Sequence, residues 1–263
     1  MDKPFAVVTG ASSGIGFELA KQFAEHGHDL LITAEDAELD AAQAELTALG
    51  AQVQVVRADL RYVDGVDQVY AAVQAAGRPV DALALNAGVG QGGAFVDQTL
   101  DDIRSVIQLN VTSTVHLARL LLADMVARDA GRVLITSSIA SLMPGSYQAV
   151  YNASKSFLQS FAQALQAELS KSKVTVTSLM PGPTETEFFD RAGMSHNTMV
   201  GRSSKDEPAQ VAAQGFEAMM AGRRRVVGGS VGTRAQYVAG VVLPDRVKAA
   251  MHTMMAKPRK RAA

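Results

Sequence analysis

The chain has no cysteine and no tryptophan, and aromatic residues make up only 5% of it. Without thiols there is no disulfide, no cysteine nucleophile and no thiolate metal site. Neither sign of charge dominates: 25 Lys and Arg face 26 Asp and Glu, a formal net charge of -1. That balance gives no overall pull toward nucleic acid or an acidic membrane. Long hydrophobic runs are also missing. None approaches the ~20 apolar residues of a membrane span, and the late run 237–243 is interrupted by Gly240 and stopped by Pro244. Met1-Asp2-Lys3-Pro4 opens onto apolar residues 5–8, too short a stretch for a secretory signal core. The expectation is a soluble, cytoplasmic protein with no membrane span and no nucleic-acid partner. The basic stretch Lys257-Pro258-Arg259-Lys260-Arg261 reads as a solvated tail. His26, His28, His116, His196 and His252 are scattered without ligand spacing, so no metal site is expected and they read as structural or surface residues.

What is present is a repeating pattern. Short apolar, β-branched runs at 5–9, 29–33, 52–57, 82–86, 132–137 and 173–180 predict strands, with a weak seventh at 224–227. Helical patterns lie between them at 15–25, 37–49, 63–76, 100–127 and 150–170. Alternation of this kind predicts an α/β fold, a doubly wound parallel sheet of Rossmann type with helices on both faces. Unbroken apolar strands are what a sheet covered on both faces requires. The 263 residues fit one domain, 1–263. Polar residues 187–205 are expected to form a small helical lid, and 231–263 a helical extension.

The first strand ends in Thr9-Gly10-Ala11-Ser12-Ser13-Gly14-Ile15-Gly16. Glycines permit a tight turn and close approach of a phosphate to the backbone, and the helix N-terminus that follows offers free N–H groups. The spacing G-x-x-x-G-x-G differs from the commoner G-x-G-x-x-G. Placement directly after the first strand of a βα repeat raises its weight. The second strand ends at Glu35-Asp36, about 20 residues after the glycine turn, where an acid can bond the ribose hydroxyls of NAD and repel a 2′-phosphate. Ser13 rather than a base precedes Gly14. The pattern favours NAD over NADP, although two acids also suit the first turn of the helix from 37.

Tyr151 and Lys155 are four apart in a helical segment and share a face. A neighbouring ammonium lowers the phenol pKa, which makes Tyr151 a general acid or base toward a carbonyl or an alcohol. Ser138, just past the fifth strand, can bond the same substrate oxygen. Asn110, inside the long helical pattern, is a buried amide that needs partners and can hold a water against Lys155.

With these residues in view, the chain resembles a classical short-chain dehydrogenase/reductase over residues 3–190. The resemblance is carried by the glycine turn, Asp59-Leu60, Asn86-Ala87-Gly88, Asn110, Ser138, Tyr151-Asn152-Ala153-Ser154-Lys155 and Pro181-Gly182, in family order. It implies a catalytic tetrad of Asn110, Ser138, Tyr151 and Lys155, with Lys155 also on the nicotinamide ribose. It implies that Asp59 and Leu60 flank adenine, that Asn86, Ala87 and Gly88 line the cofactor cleft, and that Pro181, Gly182, Thr184 and Thr186 hold the nicotinamide end. The cofactor expected is NAD, with Gly10, Ser12, Ser13, Gly14, Ile15, Gly16 and Glu35 on its phosphates and ribose. The reaction expected is hydride transfer between NAD(H) and a secondary alcohol or ketone. Val89, Met143, Phe188, Phe189, Met194 and Met199 supply the apolar surface for a moderately hydrophobic substrate. The alternatives are a sensor or scaffold that binds the dinucleotide without turnover, a sugar-nucleotide epimerase or dehydratase, and the same reaction with NADP(H); the intact Ser–Tyr–Lys set weighs against the first, and the short chain and the glycine spacing against the second. Phe157, Leu158, Phe161, Leu165 and Leu169 are too many for one sheet-facing stripe. They suggest a homodimer, and the long helical C-terminus weighs against a tetramer.

Overall fold

The computed structural model describes residues 3–194 and 198–258. His196 and most of the basic tail therefore lie outside the described residues. In chain order the elements begin β1 (Phe5–Thr9), α1 (Gly14–Glu25), β2 (Asp29–Ala34), α2 (Glu38–Ala48), β3 (Val53–Arg57), α3 (Val63–Ala75) and β4 (Ala82–Leu85). A long rod follows, made of α4 (Leu100–Ile107), a π-helical turn (Gln108–Thr112) and α5 (Ser113–Ala127). Then come β5 (Arg132–Thr136), α6 (Ala149–Glu168) and β6 (Thr175–Pro181). The chain continues through α7 (Phe188–Arg191), α8 (Met199–Arg202), α9 (Pro208–Met220), β7 (Arg225–Gly228), α10 (Val231–Val242) and α11 (Asp245–Ala256).

Among the described residues seven strands form one parallel sheet in the order β3-β2-β1-β4-β5-β6-β7. The register places Val7 beside Leu31 on one side and Leu83 on the other. Alternation along β1 sends Phe5 and Val7 into one core and Ala6 and Val8 into the other. The first core is closed by α3, α5 and α6 through Val66, Val69, Leu117, Leu121, Met125 and Leu158; the second by α1, α2 and α9 through Leu19, Phe23, Leu39, Leu46, Val211 and Phe216. Both faces are covered, as the unbroken apolar strands required. Strand order reverses between β1 and β4, and such a switch point opens a crevice at the carboxyl ends of the strands.

Three sequence readings need correction. The 100–127 segment is one rod, but its middle is a π turn rather than α-helix. By length and composition that rod matches a membrane span, yet Leu117, Ala118, Leu121, Leu122 and Met125 are buried in the core. Second, α9 was not foreseen. Its start carries a legible mark, Pro208 in the first turn after Glu207. Third, the α6 side chains are not all surplus to the sheet. Leu158 is fully buried, and Phe161, Leu165 and Leu169 pack partly against the same core. Phe157 is the one left 44% exposed, stacked on Phe161.

Candidate active site

The glycine turn lies at the mouth of the crevice. Gly10 donates its N–H to Thr33 O at 2.8 Å and has φ +68°. A Cβ on Gly16 would fall 1.9 Å from Gly10 O, so only glycine lets α1 start this close to the turn. Ser13 caps α1 without a side-chain hydrogen bond, and the first turn holds no acid. Its N–H groups are left for an anion. These residues fit a dinucleotide pyrophosphate.

The part of the crevice beside the end of β2 is more elaborate than the sequence suggested. Glu35 accepts an ion pair from Arg61, whose Nε also bonds both oxygens of Asp59 at 2.8 and 3.0 Å. Burial pushes the Asp59 carboxyl up, but the Arg61 hydrogen bonds and charge outweigh it and hold the group below its ordinary value. Asp36 accepts from Ser12 Oγ at 3.0 Å through Oδ2, while its buried Oδ1 accepts no hydrogen bond. That open acceptor beside the crevice suits a ribose hydroxyl, so Asp36 joins Glu35 as a cofactor candidate. Arg191 of α7 reaches to 3.6 Å from Asp36 and 2.6 Å from Glu187. No arginine lies between β2 and the end of α2 in sequence; the fold brings two there from elsewhere.

Thr9 and Asn86 weld the strand ends together. Thr9 Oγ1 accepts from the N–H groups of Asn86 and Ala87 at 3.0 and 3.1 Å, and Asn86 Oδ1 accepts from Thr136 Oγ1 at 3.0 Å. Asn110, fully buried on the π turn, clamps Val89 by both backbone groups at 2.9 Å and donates to Ser154 Oγ at 2.9 Å. Its amide is thus committed to protein partners, Val89 and Ser154. Gly88 lies between it and Lys155: a Cβ there would be 3.1 Å from Asn110 Oδ1 and 3.3 Å from Lys155 Nζ.

Tyr151 and Lys155 lie in the first two turns of α6, with Lys155 Nζ 5.9 Å from the centre of the Tyr151 ring. Both are buried. Lys155 Nζ donates to Thr136 O at 2.9 Å. Burial lowers its pKa to about 8. Burial also raises the Tyr151 phenol to about 12, only partly offset by its hydrogen bond with Ser138. This corrects the sequence expectation. Desolvation outweighs the Ser138 hydrogen bond and holds the Tyr151 phenol in its neutral form. Ser138 Oγ accepts from Ala140 N at 3.1 Å and lies 3.3 Å from Pro181 O, to which it donates.

At the far end, Pro181 closes β6, Thr184 Oγ1 donates to Gly182 O at 3.0 Å, and the Thr186 methyl rests where a Cβ on Gly14 would be, at 2.8 Å. The expected lid residues divide. Phe188, Phe189, Met143 and Val89 line the crevice. Met194 is buried against Gly92 instead, and Met199 is exposed. Sequence reasoning missed the opposite wall, where Gln148, Gln236, His252 and Met255 line the same crevice. His252 is buried rather than superficial. Its Nδ1 meets Ser146 O at 2.9 Å and its Nε2 meets Asn152 Nδ2 at 3.2 Å. The remaining expected residues, Ile15, Leu60 and Ala87 among them, also line this crevice. Among the described residues no group of three or more His, Asp or Glu is arranged to hold a metal ion.

A family model described as short chain dehydrogenase matches residues 4–196. The chain is 37% identical over 188 residues to an uncharacterized short-chain type dehydrogenase/reductase of Sinorhizobium fredii, covering 71% of this chain and 72% of that one. It is similar in structure to a short-chain dehydrogenase from Sphingobium yanoikuyae in complex with NADPH, at 30% identity and TM-score 0.79, covering 99% of this chain and 98% of that one. A short-chain dehydrogenase/reductase from Burkholderia phymatum in complex with NAD gives 26% identity and TM-score 0.83, with 100% and 98% covered.

Proposed function

The chain belongs to the short-chain dehydrogenase family, and on that premise we propose that it is a cytoplasmic oxidoreductase acting on a secondary alcohol or ketone with NAD(H). The observation that carries the reading is the meeting, along one crevice, of the glycine turn with Ser138, Tyr151 and Lys155. When bound, the nicotinamide cofactor supplies or accepts the hydride. The chain's own residues do the rest. Tyr151 Oη holds the proton that a ketone oxygen takes on reduction or an alcohol releases on oxidation. Ser138 Oγ bonds that oxygen and steadies the charge it develops. Lys155 and Asn110 position Tyr151 and the loop at Val89, and Lys155 also serves the cofactor ribose. Phe188, which packs on Tyr151 at 5.1 Å between ring centres, excludes water from the reacting centre and favours an apolar substrate.

NAD rather than NADP is supported by Glu35 and by the open acceptor of Asp36, which suit ribose hydroxyls, while Arg61 and Arg191 offset part of the repulsion these carboxylates exert on a 2′-phosphate. Asp59, Leu60 and the 86–88 turn complete the adenosine wall, and Gly10, Ser12, Ser13, Gly14, Ile15 and Gly16 take the pyrophosphate. Pro181, Gly182, Thr184 and Thr186 take the nicotinamide end. Titration of the protein with NADH and with NADPH tests this directly. The reading expects the smaller dissociation constant for NADH, and Glu35→Ser to narrow the gap. Tighter NADPH binding by the unaltered protein would overturn it.

A further inference from the structure

The C-terminal helices turn apolar residues outward. On α10, Val231, Ala235, Val238 and Val242 follow i, i+4, i+7, i+11 spacing, which puts them on one face. Val231, Val238 and Val242 are 81%, 57% and 73% exposed. The opposite face is the packed one, where Thr233 is buried and Gly240 meets Leu142. On α11, Val247, Ala250, Met251 and Met254 follow i, i+3, i+4, i+7 and are likewise exposed, Met254 to 62%. The other face of α11 carries buried His252 and Ala256. Each of two successive helices therefore carries an outward apolar stripe that no described residue covers.

Charge identifies the partner. The near-neutral total conceals a strong asymmetry. Residues 221–263 carry ten Lys and Arg and one acid, Asp245, whereas residues 1–220 carry fifteen Lys and Arg against twenty-five Asp and Glu. Asp245 is itself paired with Lys248 at 2.7 Å. Arg234 lies next to Val238 on the α10 face, and Arg246 precedes the α11 stripe. Arg259, Lys260 and Arg261 are counted from sequence alone. Two copies meeting through this face would set like charges together, which disfavours a self-contact. A nucleic acid would leave the valines and methionines in water. An anionic lipid surface satisfies both features, because acyl chains take the apolar stripe and headgroups take the arginines and lysines.

We propose that α10 and α11 form a lipid-docking face that seats the protein on an anionic bilayer surface without spanning it. The same α11 lines the crevice with His252 and Met255, so docking brings one wall of the crevice next to the lipid. The docking stands independently of the reaction proposed above.

Co-sedimentation of the full chain with vesicles tests it. Vesicles of phosphatidylcholine with phosphatidylglycerol are compared with pure phosphatidylcholine, at low and physiological salt. Binding is expected to the anionic vesicles and to weaken with salt. It should fall about fivefold for each of Arg234→Gln and Arg246→Gln. The double variant Val238→Glu/Val242→Glu should lose binding while keeping its thermal melt and its NADH affinity, since neither side chain touches the crevice or the core. No binding to anionic vesicles, or equal binding to both vesicle types, overturns the proposal. So does a dimer in sedimentation velocity that the double variant dissociates, which would assign the face to a second copy. Retention of duplex DNA equally by both proteins, with no vesicle binding, would also overturn it.

Discussion

Tyr151 and Lys155 are four residues apart, and the fold buries both, with Lys155 Nζ 5.9 Å from the centre of the Tyr151 ring. The consequence is readable as stability. Lys155 has a folded-state pKa of about 8 against an ordinary 10.5. A depressed value means that stability is fully present above the ordinary pKa and is lost as pH falls through about 8. Lys155→Met removes that penalty. Relative to the unaltered protein its denaturation free energy should be highest near neutrality, and the advantage should shrink by roughly 2–3 kcal/mol on going up to about pH 10. A constant difference across that range would show that Lys155 is not buried as a poor cation. At the adenosine end, the pairing of Glu35 with Arg61 and of Asp36 with Arg191 joins residues far apart in the chain. A local pattern of residue types cannot report such contacts, which is why the acids were legible from the glycine spacing and their arginines were not. His252 is the same case: nothing around it in sequence marks it, and it meets Asn152 only because α11 folds back over α6.

Elements were legible where their period was strong. All seven strands were anticipated within a residue or two, because continuous apolar runs between glycine-marked turns admit few other readings. The π turn was not, since one extra residue per turn leaves the composition of a helix unchanged. Its effect is local and testable. It sets Asn110 against Val89, tying the rod to the loop after β4. Asn110→Ala leaves the Val89 N–H and C=O without partners, and should cost about 2–3 kcal/mol in chemical denaturation along with most of the turnover. A variant as stable as the parent would show that the clamp contributes nothing. Gly88→Ala acts in the same gap. A methyl there presses on Asn110 Oδ1 and Lys155 Nζ, so NADH should bind more weakly and turnover should fall, with the melt little changed.

At the scale of the whole molecule, two cores sandwich one sheet and all the expected chemistry gathers at a single edge of it. The fold class was legible because alternation of strands and helices leaves little other topology. The wall built by the last two helices was not, because their apolar residues point outward and no helical period says what they cover. We propose a homodimer through the α6 side, where Phe157 stays exposed; sedimentation velocity at micromolar concentration should show a dimer, and Phe157→Glu a monomer. A monomeric parent would contradict that. The central claim is that this crevice moves a hydride while Tyr151 moves the proton. It is tested by following NADH consumption with a panel of apolar ketones for the parent and for Tyr151→Phe. The account predicts turnover by the parent, NADH affinity unchanged in the variant, and a loss of at least ~100-fold in its kcat. Undiminished turnover by Tyr151→Phe would contradict it.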